Sequence, residues 1–289
     1  MNKKNKLAYA MIEAAVDKGI RDIQEDPKRG IRNLVDLGQH FATARFQKDF
    51  CEITQQMLKN ENSPYFELLN NTIKNVDHKI LKRFGINLGY NNWTYGGEKI
   101  RKLKKEYGYS IPWTIAFDLR NKTPDALTSE EISSILLSSE SLGIYSGIFF
   151  VGEDKLFIEN LVEILSSHKD SAYFVFTQPE AITDELADSV FQAKNIVISL
   201  NMDITGENTA CKNAALELLN KKCLYGIHSM YDESNIEYLM SDNYTNQIYE
   251  LGCTFAFIVK QGFKELQSEE NLSRFLKKAR SADGYPFLL

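Results

Sequence analysis

Tyr107-Gly108-Tyr109-Ser110-Ile111-Pro112-Trp113-Thr114-Ile115-Ala116-Phe117-Asp118-Leu119 is the stretch at which this chain of 289 residues changes character. Downstream of Ile111-Pro112, short apolar runs alternate with amphipathic segments, the pattern of a parallel sheet with helical crossovers. The predicted strands are Trp113–Leu119, Ile144–Val151, Ala172–Thr177, Asn195–Asn201, Leu224–Met230, Thr254–Lys260 and a final Tyr285–Leu289. Their starts recur at nearly the length of a βαβ unit, about 30 residues. Thr128-Ser129-Glu130-Glu131 is a capping box that opens the first crossover helix, and Leu136, Leu137 and Leu142 supply its inner face. Asp184 precedes a second apolar stripe (Leu186, Ala187, Val190, Phe191), and 213–219 continues a later crossover.

Upstream, from Leu7 to about Gly108, apolar residues recur at three- and four-residue steps, as in Leu34, Leu37, Phe41 and Ala44, so this part reads as helical without strands. Ser63 and Pro64 mark a helix start, as N-cap and first helical residue. Gly85, Gly89, Gly96 and Gly97 read as breaks in a looser connector, with Gly96-Gly97 a hinge. Tyr90, Trp93 and Tyr95 are expected to pack the helices onto the barrel. The seventeen Phe and fourteen Tyr are mostly core material, including Phe117, Phe149, Phe174, Phe176, Phe255 and Phe257 on the strands.

Charge and composition narrow the classes of function. A net charge of −5 gives no general basic surface for a nucleic-acid backbone, and the run Lys99–Lys105 reads as a solvated helix face. No stretch approaches the roughly 20 apolar residues of a membrane span, so no membrane is expected. The basic start, Met1–Lys6, leads into no apolar signal core, which makes the cytoplasm the expected location. Cys51, Cys211, Cys223 and Cys253 are far apart, with no metal-ligand spacing, and read as free thiols. His168 ends a helix, where its charge favours the helix dipole; His40 and His78 sit among polar helical residues. Gly96-Gly97 lacks the Lys-Ser/Thr of a phosphate loop.

Residues 107–118 resemble the first barrel strand of the radical S-adenosylmethionine (radical SAM) superfamily, where a helical preamble precedes YGCNIPWAILLD. The similarity resumes at 142–145, at Ile148–Asp154 in place of IFTGGEP, and at Phe176-Thr177-Gln178-Pro179 in place of FTNG. It continues through 198–200, 225–227 and 244–257, nearly the whole chain. In the family a C-x-x-x-C-x-x-C loop follows the first strand. Here Asp118 is followed by residues 119–127, which run straight into the capping box. The resemblance is therefore to a degenerate member without its cluster loop. Three thiolates hold a four-iron cluster whose open iron chelates S-adenosylmethionine, and no other soft-ligand set is present in this sequence.

Two further departures fall where the family does its chemistry. The GGEP strand end has become Val151-Gly152-Glu153-Asp154, leaving Gly152 and Glu153 as a remnant of the cofactor-binding motif. The stretch 201–208 is shorter than its family counterpart and lacks arginine. The chain reaches Leu289 without the family's cysteine-containing tail, so auxiliary clusters are not expected either.

The expected fold is α/β: a partial (β/α)6-type TIM-like barrel (109–289) with an N-terminal helical extension (1–108). The expected function is that of a non-catalytic relative, a pseudoenzyme serving as a binding, scaffolding or regulatory subunit. Neither a [4Fe-4S] cluster nor catalytic residues are expected, and S-adenosylmethionine would have only Gly152 and Glu153 to meet it. The alternative is a small-molecule-binding protein or non-radical enzyme that uses the crevice at the strand ends. There Asp118, Gln178, Asn201 and His228 are the candidate residues, with Ser229, Tyr231 and Lys260 nearby, and a Glu153–His228 pair could act as acid and base. The expected partner is a protein or a small molecule.

Overall fold

The computed structural model describes residues 3–42, 44–120, 126–202, 208–262, 269–281 and 286–289. Helices α1 (Lys3–Glu25), α2 (Pro27–Phe41), α3 (Arg45–Met57), α4 (Pro64–Asn75) and α5 (His78–Ile86) come first. A π-helical stretch (Asn87–Gly96) and α6 (Gly97–Tyr107) follow. Local chemistry explains the starts. Asp26 accepts from Arg29 N with Pro27 in the first turn, and Asp77 caps α5 through Lys79 N. Ser63 occupies the N-cap of α4 ahead of Pro64. Gly108 ends α6 at φ +78°, a conformation that suits glycine. Ile23, Ile31, Leu58 and Phe66 close a small core between α1, α2 and α4.

Six strands make one parallel sheet in the order β1-β2-β3-β4-β5-β6: β1 (Ile115–Leu119), β2 (Ser146–Val151), β3 (Ala172–Thr177), β4 (Ile196–Asn201), β5 (Tyr225–Tyr231) and β6 (Ala256–Lys260). This is the partial TIM-like barrel, a half-barrel with helices on both sides. Crossovers α7 (Ser129–Leu142), α8 (Lys155–Ser167), α9 (Asp184–Ala193) and α10 (Thr209–Asn220) carry the chain between β1 and β5. Shorter α11 (Ile236–Leu239) and α12 (Asp242–Glu250) lead to β6, and α13 (Glu269–Ser281) follows it. The capping box forms as read, since Thr128 accepts from Glu131 N while Glu131 accepts from Thr128 N. The cap of α9 is Thr183, with Asp184 one residue inside.

The main core lies between the sheet and these crossovers and includes Phe117, Phe149, Val175, Ile198 and Ile227. Burying such side chains contributes about 1.5–3 kcal/mol each, so this layer sets the sheet in place.

Several sequence expectations need correction. Five strands begin one or two residues later than read. For β1 and β2 the reason is visible: Thr114 Oγ1 donates to Ser146 O (3.2 Å) and Ser146 Oγ to Trp113 O (3.2 Å), so side chains serve where the ladder has not begun. The last strand reduces, among the described residues, to a bridge of Leu288 on Ala256, with Leu289 N donating to Ala256 O (2.8 Å); Tyr285 lies outside the described residues. So do 121–125 and 203–207.

The glycine-rich connector is no loose hinge. It is continuous helix, and three buried asparagines on it bind the barrel. Asn87 Nδ2 donates to Lys169 O (2.9 Å) and Ser171 O (2.8 Å), and Asn91 Nδ2 to Asp170 O (2.9 Å). Asn92 donates to Ser146 Oγ (3.0 Å) and accepts from Tyr145 N (3.1 Å). Gly96 packs where a Cβ would stand 2.1 Å from Gly143 O, which leaves room for glycine alone. Among the described residues Tyr95 alone of the connector aromatics meets a barrel ring, Tyr145, at 6.0 Å; Trp93 packs on Phe46 and Phe50, and Tyr90 on Tyr9. His168 stands at the C-cap of α8, as read, and is buried with Nδ1 3.1 Å from Glu140 Oε1.

Candidate functional site

Alternation along each strand sends every second side chain away from the crossover helices, onto the inner face of the half-barrel. Register then builds a row across it: Asp118 opposite Phe150, Phe150 opposite Phe176, Phe176 opposite Ser199, and Ser199 opposite Gly226. One step toward the strand ends, Asn201 lies opposite His228, and His228 opposite Phe257.

The inner face is aromatic at its centre. The Phe176 ring centroid lies 4.9 Å from Phe150, 5.0 Å from the His228 imidazole and 5.9 Å from Phe257. Deeper, Phe174 meets Phe84 of α5 at 5.3 Å. The strand phenylalanines thus divide: Phe117 and Phe149 are buried in the core under the helices, whereas Phe174, Phe255 and Phe257 are only half-buried. Reading all of them as core merged two faces that parity separates.

The polar candidates pair among themselves. Arg120 Nε and Nη2 donate to the Asp118 carboxylate at 2.8 and 2.6 Å, and the guanidinium lies over Phe150. That fork, opposed by partial burial, holds the Asp118 carboxyl below its ordinary range. Asn201 Nδ2 donates to Gln178 Oε1 at 3.0 Å. His228 Nδ1 and Ser199 Oγ share a hydrogen bond of 3.1 Å. Burial pushes the His228 pKa down to about 4, a backbone hydrogen bond at Ser199 opposing this and the Arg120 charge adding to it, so the imidazole is neutral at pH 7.

Gly152 and Glu153 lie apart from this row. Gly152 O accepts from Thr177 Oγ1 (3.1 Å), Glu153 is exposed, and Asp154 caps α8 through Phe157 N (3.2 Å). A Cβ on Gly152 would meet Arg120 O at an ordinary 3.6 Å, so close packing does not require glycine there. No hydrogen bond or ion pair joins Glu153 to His228 among the described residues. Lys260, at the end of β6, pairs with Glu269, and Ser229 turns to the helix side, donating to Met202 O (3.0 Å). Ser199, Arg120 and the Phe176 ring were not singled out from sequence as site residues. Strand parity carried the signal, since Ser199 stands two residues from Asn201 and shares its face.

Cys211, Cys223 and Cys253 all belong to the core on the helix side of the sheet, where burial pushes each thiol up to about 12. Cys51 is buried in the helical part. No three His, Cys, Asp or Glu side chains gather into a metal-holding group among the described residues.

No family model matches the chain. No curated protein matches it in sequence. Solved structures do match in shape. SuiB of Streptococcus suis bound to S-adenosylmethionine superposes with a TM-score of 0.51 at 14% identity, over 66% of this chain and 49% of SuiB. SuiB bound to the precursor peptide SuiA gives 0.51 at 13% identity, over 66% and 51%, and SuiB alone gives 0.50 at the same identity and coverage. The fold is radical SAM-like. The match spans about half the length of SuiB.

Proposed function

We propose that this chain is a non-catalytic, cluster-free radical SAM-like protein that serves as a binding, scaffolding or regulatory subunit in the cytoplasm, with a helical unit (1–108) and a barrel unit (109–289). The observation that supports it is the placement of the soft ligands. Cluster chemistry needs three thiolates on one short loop after β1, yet every thiol here is buried, and those of the barrel unit sit protonated behind the sheet. The residues at the family's working end therefore do not fit a four-iron cluster.

The inner face supports the same reading. Where an enzyme using this crevice would present unspent acid and base groups, Gln178 is bonded to Asn201, His228 to Ser199 and Asp118 to Arg120. Phe150, Phe176 and Phe257 occupy the space between them. Gly152 and Glu153 are the only residues through which S-adenosylmethionine recognition is proposed to persist.

The test is anaerobic reconstitution with iron and sulfide, followed by metal and sulfide analysis and by calorimetric titration with S-adenosylmethionine. The expected result is no stoichiometric iron or sulfide. Stoichiometric cluster together with reductive cleavage of S-adenosylmethionine would overturn the proposal.

A further inference from the structure

Helix α6 and the link that follows it lie at the opposite end of the sheet from the crevice. Lys99 Nζ donates to Glu140 O (3.4 Å) near the end of α7, and residues 108–114 lead from α6 to the first residue of β1. We propose that this surface binds single-stranded nucleic acid, with the exposed cations of α6 on the phosphates and the Tyr107–Tyr109 pair stacked against a base. The site is independent of the function proposed above and uses none of its residues.

Charge is concentrated here against the trend of the chain. Lys99, Arg101, Lys102, Lys104 and Lys105 fall within one short run of a protein whose net charge is −5. Lys104 and Lys105, in the last turn, complement the helix dipole, but that field fades within a turn and does not account for Arg101 and Lys102. All four of these side chains are exposed. Arg101 neighbours Lys104 and Lys105 at three- and four-residue steps, and Lys102 neighbours Lys105, so like charges crowd one face. Among the described residues none of the four is held in an ion pair, although Glu98 and Glu106 stand on the same helix. Such a face repels itself in the free protein, and a polyanion relieves the repulsion.

The rings select among polyanions. Tyr107, Tyr109 and Trp113 are 52%, 57% and 57% exposed, and they directly follow the cations in the chain. Tyr107 and Tyr109 stack with centroids 5.8 Å apart and planes 12° from parallel. Gly108 between them, at φ +78°, ends α6 and turns the chain so that the second ring reaches the first. Cations along a backbone path beside sequence-tolerant stacking rings are the two elements of single-strand binding. A membrane surface is matched less well, because the aliphatic side chains of α6 face the protein, Ile100 buried and Leu103 half-buried, leaving no apolar stripe to enter a bilayer. A paired duplex, with its bases stacked inside, would leave the tyrosine faces without a partner.

The experiment titrates the full chain into a fluorescein-labelled oligothymidylate of about 12 nucleotides, read by anisotropy, with the same strand paired to oligoadenylate and vesicles containing phosphatidylserine as competitors. Saturable binding is expected, about twentyfold weaker at 150 mM than at 50 mM salt if about four phosphates are neutralised. Tyr109→Ala should weaken it at least about fivefold with the salt dependence kept, and Lys102→Glu with Lys105→Glu should weaken it and flatten the salt dependence. Both changes are on exposed side chains, so an unchanged thermal midpoint checks that the variants fold. No saturable binding at 50 mM salt would overturn the proposal. So would binding that Tyr109→Ala leaves unchanged, which would mean a diffuse ionic contact only, or a preference for the duplex or the vesicles over the single strand.

Discussion

Ser199 Oγ and His228 Nδ1 lie 3.1 Å apart on the inner face of the half-barrel, with the Phe176 ring 5.0 Å from the imidazole. This environment favours the neutral imidazole. The unfolded chain binds a proton at His228 near pH 6.5, whereas the folded chain does so only near 4. Between these values the unfolded state holds more protons, so stability rises with pH and is lost as pH falls through the window. The difference amounts to about 3 kcal/mol. Urea denaturation from pH 4 to 7 should show this slope in the parent and a flatter one in His228→Gln. Parallel curves would mean that the imidazole is solvated.

Gly96 and Gly143 touch across the seam between the helical part and α7, each holding the other's carbonyl where a Cβ would go, 2.1 Å in one direction and 2.9 Å in the other. Gly143 is also left-handed at φ +97°. Gly96→Ala should therefore destabilise by about 1–3 kcal/mol through overpacking, although alanine is the better helix former. Gly89→Ala, a few residues earlier on the same helix, should be neutral or stabilising. Chemical denaturation of both variants checks the contrast, and equal effects would remove the steric account of the seam.

Asn87 supplies both donors of its amide to the carbonyls of Lys169 and Ser171 and is fully buried. Asn87→Asp removes the donors and places an acceptor-only group against two oxygens. It should cost on the order of 2 kcal/mol or more, and more at pH 8 than at pH 4, because the ionised carboxylate is the worse fit. A variant with unchanged stability at both values would show that water satisfies those carbonyls.

The alternating frame was legible because strands buried on a helix-covered face leave apolar runs, and because the Thr128 capping box and the Asp118 strand end are local signals. The asparagine seam was not legible. Asn87, Asn91 and Asn92 carry no apolar periodicity, and the surrounding glycines read as breaks until their packing partners, far along the chain, are known. The inner face fell between these cases. Its residues were named one by one from strand ends, yet which polar groups pair depends on register, so Gln178–Asn201 and Ser199–His228 emerge only when β3, β4 and β5 are aligned.

The cysteines offer a direct check on the proposed loss of cluster chemistry. A ligand thiol must be reachable and held as thiolate, and thiolate is also what attacks a disulfide reagent. Cys211, Cys223 and Cys253 meet neither condition, since each is buried in the core with its pKa pushed up to about 12, where an ordinary thiol titrates near 8.5. At pH 8 their thiolate fraction falls by about three orders of magnitude relative to a free cysteine, and access requires opening of the core. In a Cys51→Ser chain, 5,5′-dithiobis(2-nitrobenzoate) should leave the folded protein unlabelled over minutes and titrate the remaining three thiols after denaturation. Rapid labelling of a native barrel thiol would place it on an accessible surface and reopen the case for a metal-ligating role.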